Sequence, residues 1–140
     1  MIVVDASLAA KWYLDEPLSA AAISLLLAES PGISAPDLFA IEVASALVRS
    51  ANMDKSWANE ARRSIGRFVE LCQGGGLQLV RVSPKGIDLA ANLALDLGHP
   101  LKDCIYLALA MELGCELVTC DARFAAKAKG VWAGVRVLGG

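Results

Sequence analysis

Short runs of β-branched and aliphatic residues alternate along the chain with longer stretches whose apolar positions recur at helical spacing. Ile2-Val3-Val4 runs into Asp5, the pattern of a buried strand that ends in an acid. A helix is predicted over 7–14, stopped near Pro17, and a second over 18–29, ended by Ser30-Pro31-Gly32. Residues 33–35 read as a brief strand, and Pro36-Asp37 opens a helix through about 51. After a break at 52–54, residues 55–72 form a long amphipathic pattern with Ala61, Ile65, Phe68, Val69 and Cys72 on its apolar side. Gly74-Gly75-Gly76 ends that helix, and 77–82 alternates as a strand. Ser83-Pro84 supplies an N-cap and a first-turn proline for a helix to about 97. Gly98-His99-Pro100 separates it from a helix over 101–113, which Gly114 terminates. A strand over 116–119, a short helix over 121–129 and a last strand over 135–138 complete the chain. This alternation predicts an α/β fold, one domain over 1–140, with a parallel sheet covered by helices on both faces.

Composition narrows the function classes. The 140 residues are 56% apolar and 20% charged, which argues against disorder and for a filled core. A mean hydropathy of +0.50 suggests apolar surface covered by a partner. Long uncharged stretches such as 17–28 and 104–111 fall short of the roughly 20 residues that a membrane-spanning helix needs. No basic lead-in precedes Ile2-Val3-Val4, so the start does not read as a signal peptide, and the cytoplasm is the expected location. Cys72, Cys104, Cys115 and Cys120 form no C-x-x-C pair and read as free buried thiols rather than a zinc site. Thirteen basic residues against fifteen acidic ones do not mark a strongly basic nucleic-acid binder.

The candidate chemistry is acidic. In open parallel sheets, sites lie beyond the carboxyl ends of the strands. Asp5 follows the first strand there, and Asp121 lies two residues past Thr119 at the end of the 116–119 strand. Glu42 is the only charge between Leu38 and Val48, and burying it needs a cationic partner. Asp103 falls in the first turn of the 101–113 helix, whose positive end favours an anion. Four converging carboxylates would repel unless a hard divalent cation, Mg²⁺ or Mn²⁺, met them. Two such ions roughly 4 Å apart suit hydrolysis of a phosphodiester. Ser7 and Thr119 are placed to hydrogen-bond the carboxylates or their waters.

Val4-Asp5-Ala6-Ser7, Glu42 on its helix, Leu101-Lys102-Asp103 before an apolar helix, and Val118-Thr119-Cys120-Asp121 occur in this order across nearly the whole chain. Together they resemble PIN-domain proteins of the VapC type, the ribonucleases of toxin–antitoxin pairs; Asp5 to Trp12 is similar to the opening of one such group. The resemblance implies a three-layer α/β/α sandwich with a five-stranded, mostly parallel sheet. It also implies an endoribonuclease that uses Mg²⁺ or Mn²⁺, forms a homodimer and is inhibited by a VapB-like antitoxin protein. The family's metal-binding acids carry over to Asp5, Glu42, Asp103 and Asp121, and its supporting hydroxyls to Ser7 and Thr119.

Plainer readings stand beside these. Asp5 reads equally as a strand-end cap and Asp103 as an ordinary helix-start acid, while Arg49 is the ion-pair alternative for Glu42. Lys11, Lys102 and Arg123 either touch RNA phosphates or stay solvated. Arg62, Arg63 and Arg67 read as a solvated face or an antitoxin contact, His99 as a loop residue, and Trp12, Tyr13 and Trp57 as core or dimer contacts. An aspartate-nucleophile phosphatase would want an Asp where Ser7 stands, and a receiver domain an acidic pair where Val3-Val4 stands. A silent RNA- or partner-binding module is the alternative from another class, and four carboxylates add nothing to binding phosphates.

Overall fold

The computed structural model describes residues 1–140, and its strands run β1 (Ile2–Val4), β2 (Ile33–Pro36), β3 (Gln78–Val80), β4 (Glu116–Thr119) and β5 (Val135–Val137). All pairings are parallel, in the spatial order β3-β2-β1-β4-β5. Registers such as Val3 opposite Leu117 and Val4 opposite Val118 align the ends of β1 and β4. Ile2, Val3 and Val4 are buried because β1 is central and covered on both faces. The chain builds β1, β2 and β3 toward one edge, then returns to lay β4 on the other side of β1. That reversal makes the β1–β4 boundary the topological switch point, where a crevice opens beyond the strand ends.

Seven helices fill the connections: α1 (Ala6–Ala10), α2 (Ser19–Glu29), α3 (Leu38–Met53), α4 (Ala58–Gln73), α5 (Pro84–Leu97), α6 (Leu101–Leu113) and α7 (Ala122–Ala128). Right-handed crossovers assign α1 to α4 to one face and α5 to α7 to the other, giving three layers. α6 lies against β1, β2 and β4 and packs on α5, while α3 packs between α1 and α4.

Several boundaries differ from the sequence pattern. The predicted 7–14 helix is a single regular turn and more, 6–10, followed by tight turns through Leu14. Residues 55–57 form a 3₁₀ turn capped by Asp54, so α4 starts only at Ala58. On α4 the buried positions are Ala61, Ser64 and Phe68, and Val69 faces out at 44% exposure. Of the four thiols only Cys104 is fully buried; the other three are partly exposed and all are free.

Trp12 is a core residue whose indole Nε1 donates to the Ala22 carbonyl at 3.0 Å. Tyr13 packs edge-on against Phe68, and Phe39 joins Trp12 and Phe68 in the same aromatic cluster. Trp57 also packs on the core. Arg63 and Arg67 form a solvated ladder on Glu60, at 2.8 and 3.1 Å. No helix is long and apolar enough to cross a membrane.

Phe39 is wholly buried on α3, whereas Leu95 on α5 is exposed. Phe39→Ala is expected to remove about 3–5 kcal/mol of stability through its cavity, and Leu95→Ala less than about 0.5 kcal/mol. Urea unfolding of the two variants reads the difference, and equal losses would contradict this core.

Candidate active site

Asp5 follows β1 directly and caps α1. Its Oδ1 accepts from the Leu8 backbone N–H and from the Ser7 hydroxyl, each at 3.0 Å, and its Oδ2 accepts from the Thr119 hydroxyl. Thr119 ends β4, is fully buried, and its Oγ1 also accepts from the Asp121 backbone N–H at 3.0 Å. One hydroxyl thus links the acids that follow the two central strands. Asp121 in turn caps α7, its Oδ1 accepting from the Phe124 N–H at 2.9 Å, and its carboxylate stands exposed. Capping and a place at the switch point are compatible, since a capping carboxylate keeps lone pairs free. Asp5 is only 8% exposed, and burial pushes its carboxyl above the ordinary range. The hydrogen bonds from Thr119, Leu8 and Ser7 pull it back down, and the charge of Asp103 raises it.

Glu42 and Asp103 come from opposite layers. The Tyr106 hydroxyl on α6 donates to Glu42 Oε1 on α3 at 2.7 Å. Lys102 Nζ lies 3.3 Å from Glu42 Oε2, so the countercharge of Glu42 is Lys102, and Arg49 makes no ion pair with it. The Glu42 side chain is 22% exposed, and its remaining open side faces water rather than the core. Burial, the hydrogen bond to Glu42, and the charges of Glu42, Asp5 and Asp103 all push the Tyr106 phenol up.

Asp103 lies in the first turn of α6, and its Oδ2 meets His99 Nε2 at 2.6 Å. One donor atom each from His99, Asp103 and Asp121 can be chosen so that all lie within 4.8 Å of one another. Asp5 and Glu42 are not part of this compact set. His99 is thus more than a loop residue, and Tyr106 was missed altogether. Both left signals in the sequence. His99 is the sole histidine and stands four residues before Asp103. Tyr106 is the only hydroxyl in the apolar 101–113 run, where a buried phenol needs a partner.

A groove lined by Ser7, Lys11, Arg49, Ser50, Cys120 and Asp121, among others, leads up to the acids. Lys11 sits 3.8 Å from Glu16, too long for a tight pair. Arg123 is exposed and makes no ion pair. Carboxylate oxygens predominate among the donors, and oxygen is what a hard divalent cation takes.

Because the folded Asp5 carboxyl lies above its ordinary value, its neutral form is favoured. In protein held free of divalent ions, that stabilisation is present below the ordinary pKa and is lost as pH rises through the raised one. Asp5→Asn keeps the capping acceptor and cannot ionise. The stability of Asp5→Asn relative to wild type is therefore expected to increase between about pH 3.5 and pH 7 in EDTA, measured by urea unfolding. A pH-independent difference would contradict the buried placement.

Comparison with known proteins gives the same architecture. The PIN-domain family matches residues 2–130. Ribonuclease VapC9 of Mycobacterium tuberculosis is 34% identical over 123 residues, 88% of this chain and 87% of the relative. Two solved structures share the fold. Mycobacterium tuberculosis VapC20, described as a sarcin–ricin-loop-cleaving toxin, superposes with a TM-score of 0.72 at 15% identity, covering 90% of this chain and 94% of that one. A toxin–antitoxin complex from Klebsiella pneumoniae superposes with a TM-score of 0.69 at 16% identity, covering 97% and 96%. With a domain match over almost its whole length and a ribonuclease relative above 30% identity, the chain belongs to the PIN-domain family, within its VapC ribonuclease group.

Proposed function

We propose that this protein is the endoribonuclease toxin of a VapBC-type toxin–antitoxin pair, acting in the cytoplasm and cleaving RNA phosphodiesters with Mg²⁺ or Mn²⁺. Asp5, Glu42, Asp103 and Asp121 hold the cation, and Ser7 and Thr119 steady Asp5. The observation that carries this reading is that donor atoms of Asp103 and Asp121 lie within 4.8 Å of each other, with Asp121 tied to Asp5 through Thr119 and Glu42 held by Tyr106 one turn along α6 from Asp103. Acids from four separate segments at one crevice repel unless cations join them, and the protein's own Lys102 meets only Glu42. When bound, the cation supplies Lewis acidity toward the phosphodiester and its attacking water.

The chain's own groups do the positioning. Thr119 and the Leu8 N–H fix the Asp5 carboxylate, and Tyr106 fixes Glu42 on the far side of the cleft. Lys102, largely exposed, neutralises Glu42 and is free to turn toward a phosphate. Lys11 and Arg49 line the groove on the approach, where an RNA backbone needs positive charge among so many acids.

The antitoxin and a second copy of the chain are the expected protein partners. α3 turns Ile41, Val48 and Met53 to solvent along a groove with Ala40, Ala44 and Arg49, and Met53 reaches 83% exposure. Apolar surface of this extent favours burial against another chain.

Purified protein is expected to cut RNA with Mg²⁺ or Mn²⁺ and to stop in EDTA. Asp5→Asn, Asp103→Asn and Glu42→Gln should each lower the rate on the order of a hundredfold or more while staying folded. Activity that survives Asp5→Asn or EDTA would overturn the mechanism and favour a contaminating nuclease or a silent binding module. Tyr106→Phe alters no proposed ligand. It should lower cleavage about tenfold through a weaker Mn²⁺ response, with more Mn²⁺ restoring part of the rate.

A further inference from the structure

His99 takes no part in the chemistry outlined so far, yet its placement is built with care. Gly98 ends α5 with φ at +61°, a left-handed conformation that glycine adopts without strain. This turn lets the His99 N–H donate back to Ala94 at 3.1 Å, and Lys127 Nζ holds the Gly98 carbonyl from α7 at 3.1 Å. Pro100 then starts α6. The imidazole lies against the Phe124 ring, with centroids 4.6 Å apart and planes tilted by 31°. Its side chain is only 9% exposed, and it makes no hydrogen bond outside its contact with Asp103. Phe124 serves both neighbours: its ring backs His99, and its N–H holds Asp121.

We propose that His99 Nε2 is a nitrogen ligand of a cation shared with Asp103 and Asp121, and that it biases the site toward Mn²⁺ and other transition-metal ions over Mg²⁺; the proposal rests on the metal-dependent reading above. The donor atoms lie within 4.8 Å of one another, so closing by roughly 0.6 Å brings the widest pair to the roughly 4.2 Å between opposite ligands of an ion bound at about 2.1 Å. A ring placed only to buttress Asp103 would not also need to converge on Asp121. Mg²⁺ prefers oxygen and dehydrates reluctantly, whereas imidazole suits the first-row transition metals. Ligation balances simply. A cation takes the place of any hydrogen between Nε2 and Asp103, and the neutral ring then carries its hydrogen on Nδ1, which has no partner within the protein.

As His99 is the sole histidine, its imidazole nitrogens report the site without ambiguity. The test uses the full chain, ¹⁵N-labelled, stripped with EDTA and returned to buffer. On saturation with diamagnetic Zn²⁺, Nε2 should lose its proton and shift as a metal-bound nitrogen, while Mg²⁺ leaves it protonated. In calorimetry, His99→Gln, which keeps a donor toward Asp103, should weaken Mn²⁺ binding about tenfold and Mg²⁺ binding less than about twofold. Retention of a protonated Nε2 under Zn²⁺, or equal losses for Mn²⁺ and Mg²⁺, would overturn the proposal and leave His99 a buttress of Asp103. Asp103→Asn separates the two readings. If it abolishes Mn²⁺ and Mg²⁺ binding while His99→Gln changes neither, the metal site stands and the nitrogen ligand falls. If wild type binds no divalent ion, both fall.

Discussion

Asp5 sits almost out of water between the ends of β1 and β4, and an ionised carboxylate there needs hydrogen bonds or a cation to offset its lost hydration. The fold supplies the hydrogen bonds from the two strands it joins: Ser7 and Leu8 after β1, Thr119 at the end of β4. They lower the carboxyl without undoing the effect of burial, and the nearby Asp103 charge works against ionisation too. A cation bound beside it would remove the remaining deficit. A parallel sheet whose order reverses at β1–β4 creates the crevice in which that deficit is stored.

The other acids are held by elements whose positions the core decides. α3 is anchored by Phe39, Val43 and Leu47, and α6 by a run of buried residues from Tyr106 to Ala110. Their contact beyond the sheet, Tyr106 to Glu42, closes the cleft from two layers at once. α7 holds the third side, since Asp121 caps it and Phe124 packs under His99. Ligands carried on strand ends and helices are located more tightly than ligands on free loops. Lys102 is the solvated part, a largely exposed ammonium that balances Glu42.

Outside the cleft, the chain carries a net charge of −2, so attraction to RNA has to come from local cations such as Lys11, Arg49 and Arg123 rather than a global field. The apolar strip of α3 adjoins this groove through Arg49 and Met53. A chain bound along α3 would therefore end near the acids, which connects partner binding with access to the site.

Much of this was legible in the linear pattern. Buried β-branched triplets, helix caps and glycine stops placed all five strands and seven helices to within a few residues, because these are local preferences. Asp5 and Asp121 stood out at strand ends, Glu42 as a lone charge in an apolar run, and Asp103 as an acid in the first turn of an apolar helix. The fold class followed from the βα alternation alone. Local pattern could not reveal contacts between distant segments. Along its own helix Glu42 had only Arg49 as an alternative ion-pair partner, two turns on, and the cation that meets it is Lys102, sixty residues away. Val69 looked inward by period and turned outward, since the face of α4 that is buried depends on where α3 lies. The donor set of His99, Asp103 and Asp121 and the Tyr106–Glu42 bond likewise exist only once α3, α6 and α7 have packed. The order of residues determined which groups were available and on which kind of element; tertiary packing decided which of them meet, because hydrogen bonds and charges act over a few ångströms of space and not along the chain.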